Sequence, residues 1–528
     1  MAEEEEAVSQ LGIVLRCSSD DEETKTGALR RLIVLSRSPA VRNVLASHDA
    51  VPSLVPLIAQ DTSSLLLLLN LLRNLCAGDR SNQDGFLRSN GVHFVARVVN
   101  RALDLVRMEM EAVSTLQICL QLLGNACGAG EAQRDAAWKA FFPDTFRTLA
   151  LLKDESKIME PLSMVIYTCS HGNFHRLKDL CIQDGAVVLS SCLQAVAPNR
   201  ALCGSDSDWI CLLTLDLCSE KSLVPLLFRS LQGPSEESIP ECQFTTEQAT
   251  LLSCLLDVLG EEHSHDIVQN SKIDVLAIIE FLAQILRYAS HAYFTSLLTT
   301  SSAVAHATGP CGIPVIDVLG YTLELFKVLS GFDCGDQKSG SRFGRSSVVG
   351  KLLEDGVIEL CIELLKKLGP PELIVRAMQR SNAHDSGHEH NGKDTQEGLQ
   401  LIIGYAKDPL NATTATLPYR GYRRDLVAVI GNAAYQNRAV QDEVRHLGGL
   451  FLLLQQCVTD EANPFLREWG LWAVRNLVDN NIENSKELSE LQMRGSLTPT
   501  ELAEMGYKVE VDPKLGRPKL VNMPSKDG

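Results

Sequence analysis

The 528-residue sequence is short of aromatics, which make up 5% of it, and of positive charge, with 49 Lys and Arg against 66 Asp and Glu for a formal −17 at pH 7. Few aromatics beside abundant leucine disfavour a sheet protein, because strands draw on aromatic and β-branched side chains and helices on Leu, Ala, Glu and Lys. The acidic balance excludes a chain built to neutralise phosphates, so nucleic acid is not an expected partner. Long apolar runs are missing as well. The longest block, Leu65 to Leu69 with Leu71 and Leu72 beyond Asn70, is far too short for a bilayer, and no membrane span is expected. The opening MAEEEEAVSQ is acidic and has no apolar core, so it reads as no secretory address. Cysteine is not scarce, but no C-x-x-C pair occurs among the 16. Cys76, Cys119, Cys127, Cys169, Cys181, Cys192 and Cys254 sit singly among Leu, Ala and Val. That is the pattern of buried, reduced thiols in a cytoplasmic chain.

What remains is ordinary globular usage, 45% hydrophobic and 22% charged, and it repeats. LLRNLCAGDRSNQDGFLRSNGV from Leu71 runs apolar helix, Asn, small apolar pair, polar turn, new helix. The same grammar recurs in LLGNACGAGEAQRDAAW from Leu122, VIGNAAYQNRAVQDEVRHLGGL from Val429 and VRNLVDNNIENSKELSEL from Val474. Asn74, Asn125, Asn432 and Asn476 take one equivalent place, and Thr168 takes it in a degenerate copy from Val165. Spacings of 43 from Asn125 to Thr168 and 44 from Asn432 to Asn476 fall in the armadillo or HEAT range, about 40 to 47. The expected fold is therefore all-α, an armadillo/HEAT-like α-solenoid coiling as a right-handed superhelix of stacked repeats.

Repeats are expected over 8–330, with a loop near 233–245, and again over 347–495. A flexible Gly/Ser-rich loop at 331–346 parts them, a polar loop at 379–397 is expected to be disordered, and 496–528 reads as an extended tail. The stretch NPFLREWGLWAVRNLV from Asn463 predicts a helix with Asn463 as N-cap and Pro464 at the first helical position. Phe465 and Trp469 then line one apolar face, Leu466 and Gly470 another, and Arg467, Glu468 and Arg475 face solvent. Such a helix is expected to be sandwiched on several sides. Two readings stand for the asparagines. Facing a concave groove, Asn74, Asn125, Asn432 and Asn476, with Trp472, would hold an extended backbone through donor and acceptor. Otherwise each satisfies loop backbone at its own helix end. PYRGYRR contributes Arg420, Tyr422 and Arg423, of interface-enriched types, or with Arg stems lying over apolar surface.

Catalytic motifs are missing. The best metal candidate is His384, His388 and His390 with Asp385 and Glu389, but H-E-H is not H-E-x-x-H and no cysteine pair accompanies it. A metal-dependent enzyme built on that loop is the alternative from a different class. GDQKSGSRFG lacks the G-K-[ST] of a phosphate loop. No enzyme, metal or cofactor is expected.

The block from GYRRDLVAVIGNAAYQ through NPFLREWGLWAVRNLVDNNIENSKEL, about 419–491, and the MGYKVEVDPKLGRPKLV tail resemble the ataxin-10 family. The resemblance implies an armadillo-like cytoplasmic protein without catalytic residues that acts through protein partners, in a family associated with cell division, growth and cell survival. Self-association is among the partnerships expected of it. W-x-x-x-N at Trp472 and Asn476 is also the pair nuclear-import adaptors use on lysine-rich peptides. There it recurs in successive repeats; here Asn70, Gln121 and Ala428 stand four positions before the other asparagines.

Overall fold

The computed structural model describes residues 2–17, 21–59, 63–106, 110–152, 155–196, 209–218, 220, 222–232, 244–260, 274–296, 311–331, 345–376, 417–493, 507–511 and 518–522. The three histidines at 384–390, the 379–397 loop and most of 233–245 and 331–346 lie outside them. Two compact units, Met1–Ser235 and Glu236–Gly528, divide the chain.

The first unit opens with α1 (Ala2–Arg16), α2 (Glu22–Leu35), α3 (Pro39–Ser47) and α4 (Ala50–Leu54). Three triplets follow: α5 (Leu65–Leu75), α6 (Arg80–Arg88) and α7 (Gly91–Leu105); α8 (Met110–Cys127), α9 (Glu131–Phe141) and α10 (Asp144–Ala150); α11 (Ser156–Ser170), α12 (Phe174–Leu180) and α13 (Gln183–Val196). α14 (Trp209–Cys218) and α15 (Leu223–Ser230) close it. The long leading helices pack in chain order, α2 on α5, α5 on α8, α8 on α11 and α11 on α14. Each therefore buries both flanks against neighbours, as stacked repeats require. Two of the three short second helices, α6 and α12, begin at side-chain caps: Asp79 accepts from Asn82 N at 2.9 Å and Asn173 from Arg176 N at 3.2 Å.

The second unit holds α16 (Thr246–Gly260), α17 (Val275–Ser296), α18 (Pro314–Gly331), α19 (Arg345–Glu354) and α20 (Val357–Leu368), then α21 (Tyr422–Ala434), α22 (Arg438–His446), α23 (Gly449–Leu454), α24 (Leu466–Val478) and α25 (Ile482–Met493). Here α16, α18, α21 and α24 pack successively. α17 is long and apolar enough to cross a membrane by length and composition, but 56% of that window is buried inside the protein, and it packs on α18 and α19. Between α19 and α20 the chain turns at Gly356, whose φ of +68° suits glycine.

All-α architecture holds among the described residues apart from one hairpin. In the tail expected to be extended, β1 (Tyr507–Val511) pairs antiparallel with β2 (Pro518–Asn522), Val509 opposite Leu520.

The helix enclosed on nearly every side is α21, not α24. In α21 only Arg424 and Asn432 escape full burial, whereas α24 buries Leu466, Gly470, Ala473, Val474, Asn476 and Leu477 and leaves Glu468, Trp472 and Arg475 exposed. Close packing explains the difference. A Cβ on Gly431 would stand 3.1 Å from the Ala473 Cα, so α21 and α24 meet backbone to backbone at that point.

Candidate interaction surface

The asparagines form a ladder between repeats. Asn125 Nδ2 donates to the Arg73 carbonyl at 2.9 Å and Asn476 Nδ2 to the Gly431 carbonyl at 2.9 Å. Asn74 reaches the Ile33 carbonyl at 3.1 Å and Asn432 the Lys327 carbonyl at 3.3 Å. Arg73 and Gly431 immediately precede Asn74 and Asn432, so each rung ends one residue before the previous rung begins. The Arg73 and Gly431 carbonyls lie in last helical turns, where helices run out of internal donors. The amide fills the gap from the next repeat. Thr168 lacks the reach and bonds its own Met164 carbonyl at 2.7 Å instead.

Asn476 is 3% exposed and donates inward, which removes it from any groove and leaves the W-x-x-x-N pair unable to hold a peptide backbone through its amide. Of that pair only Trp472 faces out, 39% exposed and stacked on Tyr435 with centroids 6.1 Å apart.

Tyr422 and Arg423, read as surface candidates, are both buried. Tyr422 is core. Arg423 Nη1 donates to the Gly369 carbonyl at 2.7 Å and to Gln456 Oε1 at 3.1 Å, closing the end of α20. Burial lowers its pKa to about 10. Asn463 is fully buried too, but α24 begins at Leu466, so it does not cap its own helix. Its Oδ1 instead accepts from Arg423 N at 3.0 Å and Arg424 N at 3.4 Å, capping α21. Phe465, expected on a buried face, has φ +65° and is 67% exposed, and Trp469 is half-buried. A turn before Leu466 rotates this aromatic edge out of the stack.

The sequence reading missed two glutamines. Gln83 Nε2 donates to the Cys76 and Asn125 carbonyls at 2.9 and 2.8 Å; Gln441 Nε2 donates to the Ala434 and Asn476 carbonyls at 3.3 and 2.8 Å. Each ties its own repeat to the next. Both stand nine positions after a ladder asparagine, a spacing that the sequence displays.

Arg420 remains exposed, on the rim of a pocket of about 410 Å³ in the second unit. Leu256, Ile316, Gly320, Tyr419, Pro464, Glu324 and Arg424 are among the residues that line it. Asp425, also in the lining and 1% exposed, accepts from Tyr419 Oη at 3.0 Å, Arg424 Nε at 2.8 Å and Lys327 Nζ at 3.3 Å. Burial, and then the Asp425 charge, push the Tyr419 hydroxyl well above its ordinary pKa. Nucleophile–base pairs do not converge here; the polar atoms hold one another in place, which suits binding.

Fold and site thus define an all-helical repeat protein with an ordered pocket and an exposed aromatic edge near its C-terminal repeats. Residues 422–521 match the family model described as the spinocerebellar ataxia type 10 protein domain, which starts with α21 and runs to the hairpin. The chain is similar to ataxin-10 of Xenopus tropicalis, 24% identical over 83% of this chain and 77% of that one. It is similar to ataxin-10 of Homo sapiens, 22% identical over 96% and 92%. The ataxin-10 homolog of Dictyostelium discoideum is 37% identical over 20% of this chain and 18% of its own, a shorter and tighter match. The chain is thus similar to the ataxin-10 family, most specifically over its C-terminal domain.

Proposed function

We propose that this protein is a non-enzymatic interaction scaffold of the ataxin-10 type, an armadillo-like stack whose second unit presents the Arg420 pocket and the Phe465–Trp472 edge to partner proteins. The observation that carries the reading is that Phe465 and Trp472 are exposed in the same unit as a pocket lined by Pro464 and Arg420, with Asn463 and Asp425 holding its residues in place. Aromatic and arginine side chains held on a rigid frame are what protein interfaces use as anchors. The buried thiols support a reducing, cytoplasmic setting: burial raises Cys192 to about 11 and Cys361 and Cys457 to about 12. Roles in cell division, growth or survival, and self-association, belong to this proposal. Affinity purification of the tagged chain, with Phe465→Ser/Trp472→Ser as comparison, tests it. Specific partners recovered with wild type and lost with the double variant are expected; no partner at all, or an unchanged set, contradicts the reading.

A further inference from the structure

Gly320 sits inside α18, where glycine is unfavourable relative to alanine. Packing does not demand it, because a Cβ there would meet nothing closer than the Tyr419 ring at 3.8 Å. Gly431 is the contrast, with backbone 3.1 Å from its virtual Cβ. At Gly320 the missing side chain serves the pocket, which opens over it.

The charges around the pocket are unequally committed. Asp317 takes the Cys311 and Gly312 amides at 2.7 and 3.0 Å, Asp425 takes Tyr419, Arg424 and Lys327, and Glu324 takes Lys327 at 2.8 Å. Arg420 uses only its Nε, on the Glu461 carbonyl at 3.1 Å, and keeps its two terminal nitrogens for a ligand. A forked guanidinium with both terminal groups available matches a carboxylate. Pro464 lines the pocket, and Phe465, the next residue in the chain, is 67% exposed.

Resting on the scaffold reading above, we infer that this pocket receives an apolar or aromatic side chain of a partner peptide, and that Arg420 pairs with an acidic residue next to that side chain. The side chain enters over Gly320 between Ile316 and Tyr419, and the peptide leaves across Phe465. Specificity then lies in the pairing of one anchor with one negative charge.

The test uses the full chain and two fluorescein-labelled 10-mer pools, each with a central Phe, Leu or Trp followed by Asp/Glu in one pool and Lys/Arg in the other, read by fluorescence anisotropy. The acidic pool is expected to bind at least tenfold more tightly. Arg420→Glu should reverse the preference, and Gly320→Phe should abolish binding of both pools while circular dichroism and melting stay those of wild type; Gly320→Ala, which only narrows the mouth, should bind in between. Equal or better binding of the basic pool, or wild-type binding by a folded Gly320→Phe, overturns the inference. So does full competition by N-acetyl-phenylalanyl-aspartate at the peptides' own affinity, which would make the pocket a small-acid site. Partners that survive both variants in affinity purification would sink the pocket assignment and leave the scaffold standing; wild type recovering none would sink the scaffold.

Discussion

Replacing Asn476 with alanine removes one rung of the ladder and nothing exposed. The side chain is 3% accessible, and its Nδ2 lies 2.9 Å from a Gly431 carbonyl in the last turn of α21. Losing the donor leaves that buried acceptor unsatisfied, which costs about 1–3 kcal/mol. With a central value of about 2 kcal/mol, and 2–4 °C of melting shift per kcal/mol in a domain of roughly this size, Tm should fall by about 4–8 °C. Asn476→Asp should cost at least as much, since it sets a second acceptor against the carbonyl. Thr168→Val supplies the control: it removes a bond made within its own turn, so its melting should shift far less. Differential scanning calorimetry reads all three. A melting point for Asn476→Ala within about a degree of wild type would refute the claim that the asparagines join repeats.

Three other outcomes follow from packing and charge. Gly431→Ala should lower stability by about 1–3 kcal/mol in urea melts despite alanine's better helix propensity, because its Cβ must push back the Ala473 backbone. Burial alone would raise the Asp442 carboxyl, but hydrogen bonds from Arg438, Asn481 and Arg445 outweigh it and hold the group below its ordinary range. Its contribution is thus present above the unfolded value of about 3.9 and lost as pH falls through the lower folded pKa; wild type should lose more stability than Asp442→Asn between about pH 4 and 2 in pH-dependent melts. Iodoacetamide followed by peptide mass mapping should label partly exposed Cys17 and Cys211 in the native protein and spare Cys192, Cys361 and Cys457 until it unfolds.

The repeat grammar was legible because the asparagine, the polar turn after it and the next helix recur in one order, and the helical reading because leucine dominates without strand patterning. Which side of each helix faces out was less so. Apolar residues all round the Asn463–Val478 stretch suggested enclosure, yet α24 lies against α21 on one flank and its aromatic edge turns outward; α21, with two arginines and an aspartate in its first turn, is the enclosed helix. Arg423 looked like surface because its carbonyl partners, at Leu368 and Gly369, are more than fifty residues away in sequence. The hairpin was hidden in a tail whose two strands, YKVEV and PKLVN, are too short to declare themselves. The pocket arises only from assembling α16, α18 and α21, so no single stretch announces it.

Native-state hydrogen exchange tests the stacking most directly. If repeats are stabilised by neighbours on both flanks, the amides of α8, between α5 and α11, and of α21, between α18 and α24, should exchange most slowly in their units, with α1 and α24 faster. Uniform protection along each unit, or α24 outlasting α21, would contradict it.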